Sequence, residues 1–151
     1  MDEKQRLAKP RDTAWAMSEE NIEMAGRLVD AWNRRDIEAL LDLGGPEIAF
    51  VNSPTAVEPG TRRGTDEVVA AVRKQWEILD ARWEVDEFFD GGDEIFALGR
   101  LSRAMPGSDR QLEQPLLVSY TIRNRKLIRA EILGFGVTEV ETALEAAGLS
   151  K

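Results

Sequence analysis

Residues 83–135 read WEVDEFFDGGDEIFALGRLSRAMPGSDRQLEQPLLVSYTIRNRKLIRAEILGF. Apolar and polar side chains alternate along most of this stretch, which is the pattern of β-strands with two different faces. Three short segments rich in Gly, Pro, Asn or Asp interrupt the alternation and predict turns. The stretch therefore predicts four strands joined as an antiparallel meander, at 83–89, 95–103, 112–123 and 126–135.

Before this stretch, apolar residues recur mainly at helical spacing. Ser18, Asp36 and Thr65 are suitable N-caps, each followed by acidic residues that favour the first turn of a helix. The three helices are predicted at about 19–34, 37–43 and 65–79.

The remaining segments complete an α+β arrangement. A short apolar run at 47–52 predicts a first strand, and residues 53–64, with two prolines and two glycines, predict a surface loop. Thr138 and Glu141 match a capping box, so a final helix is predicted up to Ala147. This order of elements places the helices on one side of an antiparallel sheet, which is typical of the α+β class.

At 151 residues the chain is expected to form one domain. Residues 1–16 are mixed in charge, contain Pro10 and show no sustained period. We expect them to be a flexible N-terminal extension, and the domain to occupy residues 17–151.

The composition argues against several classes of function. The chain has no cysteine and no histidine, which removes thiolate chemistry, the commonest general base and the commonest transition-metal ligand. We therefore expect no metal and no cofactor. A net charge of −8 disfavours nucleic acid as a partner, because the protein's field would repel a polyanion. No run approaches the ~18 apolar residues of a membrane span, and the first residues lack a secretory core, so a cytoplasmic location without membrane contact is expected.

The predicted strands carry apolar residues on both faces. Leu116, Val118, Tyr120 and Ile122 lie on one face of the strand at 112–123, and Leu117 lies on the other. Helices cover one face, and a second copy of the chain is a natural cover for the other, so a homodimer is expected.

Five phrases occur in a recognisable order: MSEENI at 17–22, AWNRRD at 31–36, RG at 63–64, DGGD at 90–93 and ALEAAGL at 143–149. Together with the order of elements, they resemble the SnoaL-like branch of the nuclear transport factor 2-like superfamily, which includes ketosteroid isomerases. The resemblance covers about residues 17–150. It implies a cone in which a strongly curved, mostly antiparallel sheet packs on about three N-terminal helices, with a short C-terminal helix. It also implies homodimers and a deep apolar pocket between the helices and the concave sheet.

Several enzymes of this superfamily carry acidic groups at positions that are apolar or amide here. A ketosteroid isomerase of this fold uses a carboxylate base near the end of the first strand, where this chain has Asn52. Its acidic donor corresponds to about Val118 and its tyrosine to about Leu28. Val118 is also near the strand-borne acid of the polyketide cyclases. The comparison argues against both reactions.

The epoxide hydrolases of this fold use an Asp-Arg-Asp set, and the matching positions here hold Gly99, Leu101 and Ile132. Phe50 and Asn52 resemble part of the strand that positions water in those enzymes, with Phe in place of Tyr. The charged machinery is therefore missing, and an apolar wall is expected in its place.

The resemblance makes nine side chains candidates for the pocket lining: Trp32, Phe50, Asn52, Trp76, Trp83, Arg103, Val118, Tyr120 and Ile132. Each has an ordinary alternative. Aromatic residues at regular spacing usually belong to a core, a strand-end asparagine can bond the adjacent turn, and Arg103 can be a surface residue beyond its strand. Arg103 could otherwise attract an anionic ligand at the pocket mouth.

Three functions remain open from the sequence. The preferred one is a protein that binds a small apolar molecule without a catalytic constellation. The second is an isomerase, cyclase or hydrolase that uses Glu87 or Asp86 as base, with Tyr120 or Asn52 as donor. Glu87 qualifies because it alternates with Trp83, although such a residue is more often solvated. The third is a dimeric scaffold for protein interactions.

Overall fold

The computed structural model describes residues 9–54, 56, 58–105 and 107–149, and describes side chains from residue 19 onward. Within these residues the elements are α1 Lys9–Arg34, α2 Ile37–Leu43, β1 Gly44–Asn52, β2 Gly60–Arg63, α3 Gly64–Leu79, β3 Arg82–Gly91, β4 Glu94–Ala104, β5 Gln111–Arg123, β6 Lys126–Phe135 and α4 Val137–Ala146. The predicted α+β class is confirmed.

One sheet contains all six of these strands, in the order β2-β1-β6-β5-β4-β3. Strands β3 to β6 pair antiparallel in sequence order, as the alternating stretch predicted. Strand β1 pairs parallel with β6, so that Phe50 lies opposite Ala130. The first and last strands are therefore neighbours, which no local pattern in the sequence indicates.

Strand β2 was not predicted, because the segment 53–64 was interpreted as a loop. All four residues of β2 pair antiparallel with β1, in a register that places Arg62 opposite Phe50. A strand of four residues beside two glycines is too short for a period to be visible, and its partner supplies the backbone hydrogen bonds that fix it.

Helix α1 begins at Lys9, ten residues before the predicted start. Pro10 is compatible with this start. Proline has no backbone N–H, and an N–H in the first turn of a helix would have no acceptor within the helix. The division into an extension and a domain stays a prediction, and residues 1–8 of the proposed extension lie outside the described residues.

One of the four predicted helix caps is confirmed. Ser18 is not a cap, because it lies within α1 and not at its start. The Asp36 carboxylate accepts a hydrogen bond from the Ala39 N–H at 3.1 Å. Thr65 is not a cap, since α3 already begins at Gly64 and the Glu67 side chain accepts from the Arg63 N–H at 2.9 Å.

The capping box predicted for the last helix is also wrong. Gly136 stands at the N-cap of α4 with a positive φ of 92°. The carboxylate that returns to the backbone is that of Glu139, which accepts from the Phe135 N–H at 3.2 Å. The N-cap of α4 lies two residues before the predicted Thr138. Gly136 can occupy this position because glycine adopts a positive φ without steric strain.

Strand β3 contains a bulge between Val85 and Glu87. Opposite the bulge, Gly99 pairs with Val85, and a Cβ at position 99 would lie only 1.9 Å from the Glu84 carbonyl oxygen. A bulge facing a glycine lets two strands bend closely around each other, so this is a point of strong curvature.

The bulge also changes which side chains share a face. Phe88 packs in the main core with Trp83, whereas Phe89 packs in the cluster on the opposite face. Glu87 is exposed. The prediction that Glu87 lies on the same face as Trp83 is therefore wrong, because the extra residue shifts the alternation by one.

The two faces of the sheet are covered differently. The concave face holds the main core together with buried residues of α1 and α3, among them Ala25, Leu28 and Val68. On the convex face Leu117 is fully buried beside Phe96 and Val140 of α4. Helix α4 thus supplies at this point the cover that we assigned to a second copy of the chain, and the homodimer stays a prediction.

Candidate functional site

A cavity of about 670 Å³ lies between the concave face of the sheet and helices α1 to α3. Side chains from those helices, from β1 and from β3 to β6 form its wall, which is mainly aliphatic and aromatic. Such a volume is in the range that cofactor-sized and drug-sized molecules occupy in proteins. The cavity reaches solvent where the exposed side chains of Glu58, Lys74 and Ile78 line it.

The structure brings eight of the nine predicted pocket residues to this wall: Trp32, Phe50, Asn52, Trp83, Arg103, Val118, Tyr120 and Ile132. Trp76 is not among the lining residues. It is 6% exposed and packs edge-on against Trp32, with ring centroids 6.1 Å apart at 64°. Trp76 therefore belongs to the layer behind the wall.

A buried polar pair stands within the apolar lining. The indole Nε1 of Trp83 donates a hydrogen bond of 3.0 Å to the Tyr120 hydroxyl oxygen. Strand β4 runs between these residues, and its inward positions Ala97 and Gly99 are small enough for the two rings to meet across it. Burial raises the pKa of Tyr120 to about 12, although the bond from Trp83 acts in the opposite direction. Tyr120 is therefore a neutral phenol at physiological pH.

The Tyr120 hydroxyl has a proton that it can still donate. The bond from Trp83 occupies one acceptor position, and no acceptor for the Tyr120 O–H occurs among the described residues. Because the residue lines the cavity, a ligand oxygen could accept this hydrogen bond. The same geometry makes Tyr120 a donor, and its raised pKa disfavours its use as a base.

Asn52 is engaged by its own loop. Its Nδ2 donates to the Glu58 carbonyl oxygen at 3.0 Å, and its Oδ1 accepts from the Ser53 N–H at 3.1 Å. This is the ordinary alternative that we gave for a strand-end asparagine. The side chain holds the segment after β1 at the cavity edge.

Of the described residues, four charged ones line the cavity, namely Glu58, Lys74, Arg103 and Glu139, and we call them the rim. Glu58 forms an ion pair with Lys74, and the hydrogen bond and charge of Lys74 lower the pKa of the Glu58 carboxyl. Glu139 accepts from the backbone at the start of α4. Neither carboxylate is buried within the apolar part of the cavity, where a raised pKa would suit a general base.

The two predicted bases lie outside the cavity. Asp86 and Glu87 are both exposed, and Asp86 forms a salt bridge of 2.9 Å with Arg100 on the convex face. Alternation with Trp83 and Val85 already places Asp86 on this face, and the bulge in β3 moves Glu87 out of the cavity as well. Neither residue is available to a molecule in the cavity.

Sequence reasoning missed several lining residues. Ala130 and Phe135 of β6 line the cavity because β6 pairs with β1, and that parallel pairing has no local signal. Ile78 of α3 also lines it while being 58% exposed. Its helical spacing from Ala71, Lys74 and Gln75, which also line the cavity, is the signal that could have identified it.

We also searched the described residues for a metal-binding cluster and for a membrane-spanning helix. Among the described residues, no three acidic side chains are grouped so that they could hold a metal ion. In the same part of the chain, none of the helices has both the length and the apolar character that crossing a bilayer requires.

Solved structures share this fold. An NTF2-like protein from Burkholderia xenovorans matches with a TM-score of 0.69 at 20% identity, over 83% of this chain and 96% of that one. A putative SnoaL-like polyketide cyclase from a Jannaschia species matches with a TM-score of 0.69 at 18% identity, over 86% and 94%. TerC, co-crystallised with polyporic acid, matches with a TM-score of 0.67 at 22% identity, over 83% and 98%. At these identities the likeness shows the NTF2-like, ketosteroid isomerase-like fold.

No curated protein matches the sequence. The model of the SnoaL-like domain family matches residues 25–130, which is more than half of the chain. The matched region contains most of the cavity wall, from Leu28 of α1 to Ala130 of β6. The protein therefore belongs to the SnoaL-like domain family.

Proposed function

We propose that this protein binds a small, largely apolar molecule in the cavity between the helices and the concave sheet. The observation that carries the proposal is a hollow of about 670 Å³ with an apolar wall and one buried polar pair, Trp83 and Tyr120. A wall of this kind gains free energy by excluding water from an apolar guest, and a single hydroxyl donor can orient that guest.

The positions at which related enzymes carry acidic, arginine or tyrosine side chains support binding over catalysis. Leu28, Leu101, Val118 and Ile132 all line the cavity, and none of them can donate or accept a proton. Within the part of the chain that the structure describes, the carboxylates that line the cavity are those of the rim, Glu58 and Glu139. Without a carboxylate, histidine or thiol beside the Tyr120 hydroxyl, the described residues offer no base for an enolisation or for activation of water.

The relatives add support of a more general kind. A protein of this fold has been co-crystallised with polyporic acid, and another, from Catenulispora acidiphila, forms a complex with trimethylamine. Small molecules are thus found with this fold, and a small-molecule ligand is proposed here by that analogy.

A neutral fluorescent probe, N-phenyl-1-naphthylamine, tests the proposal. Trp32 and Trp83 line the cavity, so bound probe should receive energy from their excited indoles and emit strongly. Val118→Trp places a large side chain in the hollow and should weaken binding at least about tenfold. Gln111→Trp, at an exposed position of the same strand, is the matched control and should bind like the wild type. Equal binding by all three proteins, or none by the wild type, would contradict the proposal.

Two expectations accompany this function and remain predictions. A homodimer would have twice the 16.9 kDa mass of the chain by light scattering, and a monomeric mass at micromolar concentration would exclude it. A cytoplasmic location fits a ligand drawn from cellular metabolism, and localisation of a tagged chain would test it.

A further inference from the structure

Arg103 is an arginine of β4 that lines the cavity and has no carboxylate partner among the described residues. On the same strand, Arg100 forms salt bridges with Glu84, Asp86 and Glu113 on the convex face. Arg103 instead lines the cavity, half-buried, and no described carboxylate lies within salt-bridge distance of it. Its guanidinium group packs on the Phe135 ring, whose centroid is 4.6 Å from the guanidinium carbon.

The contact with Phe135 leaves hydrogen-bonding capacity unused. An aromatic ring attracts the face of a guanidinium group, whereas the N–H donors lie in the guanidinium plane and need acceptors of their own. Burial also lowers the pKa of Arg103, because the protonated group loses part of its hydration. An anion at this position would supply the missing acceptors in the bidentate geometry that arginine favours.

The other charges of the rim do not cancel Arg103. Glu58 and Lys74 form an ion pair with each other. The Glu139 carboxylate accepts from the Phe135 N–H at the start of α4, where the helix dipole favours a negative charge. The long-range field of a chain with net charge −8 opposes an approaching anion, so the attraction to Arg103 has to be local.

Tyr120 and Arg103 lie at different depths of the cavity. Tyr120 is 8% exposed and pairs across the sheet with Ile95, which is fully buried. Arg103 is four inward-facing positions further along β4 and pairs with Leu112, which is 40% exposed. A hydroxyl donor at the buried end and a cation towards solvent, with apolar side chains between them, complement a molecule of matching polarity.

We propose that the ligand is an amphipathic organic acid whose carboxylate binds Arg103 and whose apolar body fills the cavity, with an oxygen at the far end accepting a hydrogen bond from Tyr120. This inference rests on the proposed function, because it names the chemical class of the molecule in the same cavity. It goes further by assigning a direction to the ligand, with the acid group outward.

Three rod-shaped probes separate the two polar contacts. The first, 4′-acetylbiphenyl-4-carboxylic acid, carries both groups; its 4-carboxamide analogue lacks the charge, and 4′-ethylbiphenyl-4-carboxylic acid lacks the distal oxygen. Isothermal titration calorimetry should show the first probe binding at least about tenfold more tightly than the carboxamide, as expected for a charge-assisted contact. Raising the salt concentration should weaken binding of the acids and leave that of the carboxamide unchanged.

Variants assign these differences to residues. Arg103→Gln should remove the preference for acid over carboxamide without weakening the carboxamide itself, and Tyr120→Phe should remove the preference for the acetyl over the ethyl acid. Arg100→Gln, on the convex face of the same strand, is the matched control and should keep both preferences. The salt dependence in the wild type keeps the test valid even if Arg103→Gln does not fold.

The outcomes distinguish this inference from the proposed function. If the acid and the carboxamide bind the wild type equally, or if the preference survives Arg103→Gln, the inference is wrong while an apolar-binding function stands. If the naphthylamine probe binds and none of the three biphenyls does, the inference is also wrong. If no probe of either kind binds, the proposed function fails and the inference fails with it.

Discussion

Replacing Gly99 by alanine tests whether the curvature that creates the cavity depends on this position. The added Cβ would lie 1.9 Å from the Glu84 carbonyl oxygen and 2.7 Å from the Val85 Cα. Both neighbours are backbone atoms, which cannot rotate away as the end of a flexible side chain could. Strand β3 would have to move by about 1 Å relative to β4, in an interior that is already close-packed.

This displacement determines how much the free energy of unfolding should fall. Overpacking typically destabilises a protein by ~1–3 kcal/mol, and a clash with two backbone atoms belongs at the upper end of that range. For a domain of this size, ~1 kcal/mol shifts the unfolding midpoint by ~2–4 °C, so Gly99→Ala should lower Tm by ~6–12 °C. Because the strands separate where the sheet bends, affinity for the naphthylamine probe should fall as well.

Gly26→Ala is the matched control. Gly26 lies within α1, and a Cβ there would meet nothing within 4 Å. Alanine in a helix interior is more stable than glycine by ~0.5–1 kcal/mol, so this variant should unfold at a slightly higher temperature than the wild type. Thermal unfolding followed by circular dichroism measures both. If Gly99→Ala unfolds within about 1 °C of the wild type, the backbone of β3 does not approach Gly99 as closely as described, and the reasoning fails.

Three further predictions concern the buried pair and the excluded bases. Tyr120→Phe should lower the free energy of unfolding in urea by ~1–3 kcal/mol, because it leaves the buried Trp83 N–H without an acceptor; an unchanged midpoint would contradict that hydrogen bond. The chain has a single tyrosine, so ultraviolet absorbance should show tyrosinate forming near pH 12, not near 10, and a midpoint near 10 would show that Tyr120 is not buried. Since the folded pKa lies above the unfolded one, the stabilisation from the neutral phenol is complete below pH 10 and is lost as the pH rises towards 12. Glu87→Gln and Asp86→Asn should leave probe affinity unchanged in the same titration, because both side chains lie outside the cavity, and a change of several-fold would place one of them at the site.

Much of the fold could be predicted because its signals are local. Alternation, turn residues and helical spacing gave the meander and the three N-terminal helices, and the Asp36 cap followed from a side chain three residues from its partner. Strand β2 and the parallel pairing of β1 with β6 could not be predicted, because their partners are distant in sequence and the local pattern is the same with or without them.

Part of the site could also be predicted, because alternation along a strand is a local signal. Residues before the bulge, such as Trp83, and those on regular strands, such as Val118 and Tyr120, lie on the wall as alternation indicated. Glu87 does not, because one extra residue in β3 moved it to the other face. The partner of Tyr120 was also missed, since the bond from Trp83 forms across an intervening strand and depends on the curvature of the sheet.

The most direct test of a hollow that admits a guest is diffraction from crystals of the protein pressurised with xenon, which enters dry apolar cavities large enough to hold it. We predict anomalous density between α1 and the concave face, beside Leu28, Val118 and Ile132. An interior filled by side chains, with no xenon at that position, would contradict the central claim.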